Sequence, residues 1–146
     1  MGVDASAEIV INKPRGEVAA FASDPDNDPT WIGGIVEAKT VTDPPFGVGT
    51  KVARVASFLG RKMHYTPEVV EYESSALVAM STDQPFPMTI RYTFADADGG
   101  TKMTIRVRGD GGGFYKVTAP LLGMMVKRNV SKDLERLKVL LESGRR

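Results

Sequence analysis

The chain has 146 residues, a charged fraction of 25%, a formal net charge of +1 and no cysteine. That length fits one domain, residues 1–146, and the charge excludes a global field drawing in nucleic acid, a membrane surface or acidic substrates. The missing cysteine excludes disulfides, thiolate metal sites and cysteine nucleophiles, and with no basic-then-apolar leader and no run of about 18 apolar residues the simplest reading is a soluble cytoplasmic protein.

Residues 6 to 13 are rich in β-branched side chains and stop at Lys13-Pro14, which predicts a first strand followed by a helix with Pro in its first turn. Val18, Phe21 and Ala22 recur at helical spacing, and the turn formers from Ser23 to Pro29 end that short helix. They also suit the cap of a second small helix around Thr30 to Ile32, leaving the only tryptophan, Trp31, at a helix-to-strand junction.

From Ile35 to Arg108 the apolar period changes to two, broken at Asp43-Pro44-Pro45, Gly60, Glu73-Ser74-Ser75, Gln84-Pro85-Phe86-Pro87 and Asp98-Gly99-Gly100. About six strands fit here, about seven with the first, joined antiparallel by short connections. After Gly109 to Gly113 the spacing of Val126, Val130, Leu134, Leu137 and Leu141 predicts one long amphipathic helix, with a start near Thr118 or a kink imposed by Pro120 and Gly123. The last twenty residues hold seven Lys or Arg against three acids, which reads as a solvated basic face.

This is an α+β pattern: a curved antiparallel sheet of about seven strands around a long C-terminal helix, with one or two short helices after the first strand. One helix fills a groove of limited width, so the apolar face of the sheet is expected to enclose a cavity against it. Expected cavity residues are Trp31, Phe58, Met63, Tyr65, Met80 and Ile90, continuing with Tyr92, Met103, Ile105, Val117, Leu121 and Met125. Six methionines, Met63, Met80, Met88, Met103, Met124 and Met125, are lining candidates, because the thioether adapts to irregular apolar contents.

The ordered string Ile9-Val10-Ile11, Lys13-Pro14, Val18, Phe21, Asp24, Pro29-x-Trp31 and Gly47-x-Gly49-Thr50 resembles the START-related helix-grip (SRPBCC) superfamily, in particular its polyketide cyclase/dehydrase-like and lipid-transport-like members. Leu59-Gly60-Arg61, Val70-Glu71-Tyr72, Gly100-Thr101 and the helix segment from Asp133 to Glu142 extend the resemblance over nearly the whole chain. It implies a helix-grip fold with an internal cavity. It implies no single activity, because the family includes ligand carriers, enzymes and proteins with no assigned activity.

Four polar residues are nominees for chemistry in such a cavity. Tyr65 and Tyr92 are plausible inward hydroxyls, and His64 points outward if Met63, Tyr65 and Val69 face in. Arg54 shares parity with Val52, Ala56 and Phe58; if that face is internal its guanidinium needs a carboxylate or a ligand oxygen. On the reversed parity, which is the favoured one, Ala53, Val55 and Leu59 lie inside and Arg54 is a solvated edge charge. Gly47 to Lys51 enters a strand rather than a helix, and Gly109 to Gly113 lacks a closing Gly-Lys-Ser/Thr, so neither is a phosphate loop. One histidine and no cysteine give no metal site.

The expected function is therefore binding of an apolar or amphipathic small molecule such as a lipid, isoprenoid or aromatic polyketide-like compound, with no cofactor, no nucleic acid and no membrane insertion, as a monomer or homodimer. The alternative is a cyclase- or dehydratase-type enzyme that uses Tyr65, Tyr92, Arg54 or His64 to orient a carbonyl and move protons in the same cavity. A third reading is an interaction module without a ligand.

Overall fold

The first strand, β1 (Val3–Ile11), alternates exposed residues with a buried row ending in Ile11, and hands the chain to a helix at Pro14. The computed structural model describes residues 3–58, 60–83, 87–109 and 119–143. Pro14 occupies the position before α1 (Arg15–Ser23), where its missing N–H costs nothing and its carbonyl accepts from Glu17 and Val18 at 3.0 and 3.1 Å. Asp24 then ends α1 and caps a 3-10 turn (Pro25–Asn27) by accepting from the Asp26 N–H at 3.0 Å. A four-residue helix, α2 (Asp28–Trp31), follows directly.

The sheet strands are β2 (Ile35–Thr40), β3 (Val52–Phe58), β4 (Arg61–Tyr65), β5 (Glu68–Glu73), β6 (Leu77–Thr82), β7 (Met88–Ala97) and β8 (Gly100–Gly109), all paired antiparallel. Five run in the order β1-β8-β7-β6-β5 and three in the order β2-β3-β4. Eight strands stand where about seven are expected, and Pro67 is the reason. The pairing Lys51↔Glu68 lies on the same register line as Arg54↔Tyr65, so β4 and β5 are two halves of one bent strand. Buried Pro67 has no N–H to donate to the ladder, although its carbonyl accepts from Val52 at 3.1 Å. The first half pairs with β3 and the second with β6, which makes the two sheets one curved surface.

The long helix α3 (Ala119–Glu142) packs on the sheet face that carries Ile11, Met103 and Ile105. Its spacing of four and three buries Val130, Leu134, Leu137 and Leu141 in one core with Ile11, Trp31, Met103, Ile105 and Phe94. Polar ties fix it along its length. Glu142 accepts from the Asn12 N–H at 2.8 Å, Lys138 donates to the Val10 carbonyl at 2.7 Å, and Arg136 donates to the Trp31 carbonyl at 2.8 Å. Asp133 accepts from the Gly33 N–H at 2.9 Å, so the turn after α2 is held against the helix. No helix among the described residues is long and apolar enough to cross a membrane.

The Gly100-Thr101 pair has a packing role. A Cβ at Gly100 would sit 2.5 Å from the Ile11 carbonyl oxygen, a distance only glycine avoids, and the adjacent Thr101 hydroxyl donates to the Lys13 carbonyl at 2.8 Å.

Candidate functional site: a buried guanidinium beneath a cleft

Where β3 and α2 meet the core beside Trp31, the buried lining becomes polar. Arg54, in the middle of β3, shares its inward row with Val52 and Ala56 and is only 4% exposed. The sequence expectation that Arg54 is a solvated edge charge is therefore overturned. The physical reason is a partner: Asp28, the first residue of α2 and 2% exposed, takes both Nε and Nη2 of Arg54 on Oδ2, at 3.0 and 2.8 Å. A guanidinium cannot shed its charge, so burial on this face requires such a carboxylate.

Two phenols complete the group. Tyr92 from β7 is hydrogen-bonded to the Arg54 side chain, and Tyr65 at the end of β4 sits directly opposite Arg54 in the strand register. The Trp31 ring lies 5.8 Å from that of Tyr92, tilted by 59°, and its indole N–H is buried without a hydrogen-bond partner. Burial is the largest influence throughout. It pushes the Tyr92 phenol far above its ordinary value of 10, against the opposing pull of Arg54, so this hydroxyl stays protonated at neutral pH. Burial also raises the Asp28 carboxyl above 3.8, with Arg54 working in the opposite direction. Arg54 itself loses solvation, but the oxygens of Tyr92, Asp28 and Tyr65 outweigh that loss and hold its proton more tightly. The arrangement offers a permanent cation and a phenolic donor to an incoming oxygen, and neither group is a base.

Beside this group is a void of about 10 Å³ bounded by Arg54, Asp28, Tyr92, Val52, Met80 and Phe46, among others. That is about the room one water needs. Outside it opens a cleft of about 450 Å³ between α1, the segment linking β2 to β3, and the turn between β5 and β6. Ser23, Pro25, Phe46 and Val78 line both spaces, so they form the wall between them. The cavity expected against α3 would be bordered in part by residues 110–118, outside the described residues; the described part of α3 buries Val130, Leu134, Leu137 and Leu141 in the core, and this cleft is a separate space against α1.

Among the sequence-selected residues, Trp31, Met80, Tyr92, Met103 and Ile105 are buried in the one large core, with Ile90 packed at its edge. Tyr65 and Met63 belong to a smaller neighbouring cluster with Ile35 and Ala56. Met125 is half-buried and lines a groove with Gly33, Ser57 and Lys132, and Met124 is 69% exposed. The stripe of α3 packed against the core passes through Val126 and Val130. Val117 and the glycine run from Gly109 onward to Gly113 lie at or outside the limit of the described residues, as do the side chains of Phe58 and Leu121. His64 is exposed on β4, opposite Val55. Asp28 is absent from the sequence selection because its neighbours read as a turn; the signal available is the condition that an inward Arg54 needs a carboxylate. Among the described residues no group of three or more His, Asp or Glu side chains is placed to hold a metal ion.

The sequence model of the family described as polyketide cyclase / dehydrase and lipid transport matches residues 2–142. No curated protein sequence matches the chain. Among solved structures it is similar to TTHA0849 from Thermus thermophilus, with a TM-score of 0.78 at 17% identity over 97% of this chain and 98% of that one. The solution structure of KanY protein (ms6282) gives 0.75 at 22% identity over 97% and 99%. The di-domain ARO/CYC BexL from the BE-7585A biosynthetic pathway gives 0.74 at 12% identity, over 94% of this chain and 49% of that one. At these identities the likeness is one of fold.

Proposed function

We propose that this chain, which belongs to the polyketide cyclase/dehydrase and lipid transport family, acts as a single domain that binds an amphipathic small molecule on the concave face of its sheet. The ligand has an apolar body and an oxygen-bearing head. The observation that carries this reading is the buried Arg54, held by Asp28 and Tyr92 in an otherwise apolar wall of Val52, Val78, Met80 and Trp31. Pockets for small molecules combine such an apolar lining with a few placed polar groups. Arg54 and Tyr92 would receive a carbonyl, phenolate or carboxylate oxygen, with Tyr65 beside them. Lipids, isoprenoids and aromatic polyketide-like compounds all satisfy that description.

A second reading, catalysis of a cyclisation or dehydration, is favoured by one feature. Tyr92 keeps its proton and Arg54 its charge, so a bound carbonyl would be polarised by both. Loss of a proton from carbon needs a base, and the one carboxylate of the group, Asp28, is already engaged by Arg54 through Oδ2.

Native mass spectrometry of protein from the expression host, followed by titration of extracted apolar compounds against Trp31 fluorescence, tests the proposal. Expected are a co-purifying compound and an emission shift that Arg54→Met weakens at least tenfold. If nothing co-purifies and no apolar compound moves the emission, the reading fails. Turnover that persists in Arg54→Met but is lost in Tyr92→Phe would favour catalysis.

A further inference from the structure

The cleft above the Arg54 group has a lining of its own character. At about 450 Å³ it falls within the roughly 300–1,000 Å³ of small-molecule pockets. Its floor is apolar, from Ala19, Val78 and Phe94, and its rim carries the hydroxyls of Ser23, Thr42 and Ser74. The only charged side chains among its described lining residues are the carboxylates of Asp24 and Asp43. The cation on α1, Arg15, stands at the edge of the cleft with its guanidinium committed: it donates to the carbonyl of the lining residue Ser75 at 3.0 Å and pairs with Asp96 at 3.3 Å. Phe46 and Tyr72, which both line the cleft, meet edge to face with centroids 5.4 Å apart at 75°, so the wall presents aromatic surface of the kind that receives cations.

These features disfavour an anionic ligand, which would meet two carboxylates and only an arginine already paired with Asp96, and a purely apolar one, which would desolvate the hydroxyl rim. We infer that this cleft is a second binding site, for a small organic cation: a protonated amine carried on a flat body that lies against the Phe46 and Tyr72 rings. The amine pairs with Asp43 and Asp24 at the mouth, and the body covers the apolar floor. The site is independent of the Arg54 group, from which the Phe46 wall separates it, so either assignment stands if the other fails.

An isosteric series tests it: 2-phenylethylamine, 2-phenylethanol and phenylacetate, titrated at neutral pH against the backbone amide spectrum of the full chain. Expected are shifts for the amine at Gly16, Gly47 and Ser75, weaker binding of the alcohol, and weakest binding of the acid. Asp43→Asn and Asp24→Asn should each weaken the amine by about 1.5- to fivefold, as for solvated ion pairs, and added salt should do the same. Asn at position 24 keeps an oxygen for the Asp26 N–H, and Asp43 is exposed, so both variants should melt with the parent. Equal or tighter binding of the alcohol or acid overturns the inference. So does amine binding that ignores both substitutions, an absence of binding, or shifts confined to the strands around Tyr92.

Discussion

Two regions of the buried sheet face solve the problem of burial in opposite ways. Against α3, Leu134, Leu137 and Leu141 meet Ile11 and Met103 with no charge between them, and all five are almost completely buried. Against α1 and α2, the same sheet buries an arginine, an aspartate and two tyrosines and then opens into a cleft. Dry packing stabilises without specifying a ligand; a buried ion pair returns little net stability yet fixes a charge at one place. The α3 end is therefore dry packing alone, and the α1 end holds a fixed charge beside a cleft.

The sharpest way to break that contrast is to leave the guanidinium alone in its pocket. Asp28→Ala should cost about 3–5 kcal/mol in urea denaturation, because Arg54 cannot neutralise itself. Arg54→Met should cost less, since a carboxyl left behind takes up a proton. The double substitution Asp28→Leu with Arg54→Met should recover most of the loss while abolishing any ligand response of Trp31. If the double variant is as unstable as Asp28→Ala alone, the pair is structural and the contrast between the ends disappears.

Next in size is the dry end. Leu137→Ala, at a fully buried position, should cost about 3 kcal/mol while leaving the affinity of any ligand held by Arg54 unchanged. A parallel fall in affinity would mean that the two ends are coupled. Smaller still is Thr101→Val, which removes the hydroxyl that holds the Lys13 carbonyl and should cost about 1 kcal/mol by the same measurement.

The two ends also differ in how far the sequence reveals them. The α3 end is legible because its message is periodic: Val130, Leu134, Leu137 and Leu141 repeat at helical spacing, and Met103 and Ile105 alternate against them. Gly100-Thr101 and Pro14 are legible as punctuation. The α1 end depends on a contact between Asp28 and Arg54, 26 residues apart, and no local pattern encodes that. Strand parity leaves two choices for Arg54, and only the carboxylate brought in by α2 decides between them. The division of one bent strand by Pro67 is local and visible as a proline. The place of the cleft depends on how α1 and the β2–β3 segment approach each other, which no periodicity reports.

The smallest predicted effect is one of pH, and here the two ends have opposite signs. At the α3 end the Lys138 ammonium and the Asn12 N–H hold the Glu142 carboxyl below its ordinary 4.5. A lowered native value means that the unfolded chain binds the proton first, so this strap stabilises fully above about 4.5 and is lost as pH falls through the native value. Asp28, raised by burial above 3.8, favours its protonated form in the native state; its contribution is present below 3.8 and fades as pH rises through the native value. Denaturation followed between pH 3 and 7 should therefore show Glu142→Gln flattening the gain in stability with rising pH, by about 0.2–1 kcal/mol as expected for an exposed pair. Asp28→Asn should steepen that gain, whatever its effect on absolute stability, because it removes the contribution of opposite slope. Two variants that change the slope in the same direction would mean that the Asp28 carboxyl is held ionised by Arg54 more strongly than burial opposes it.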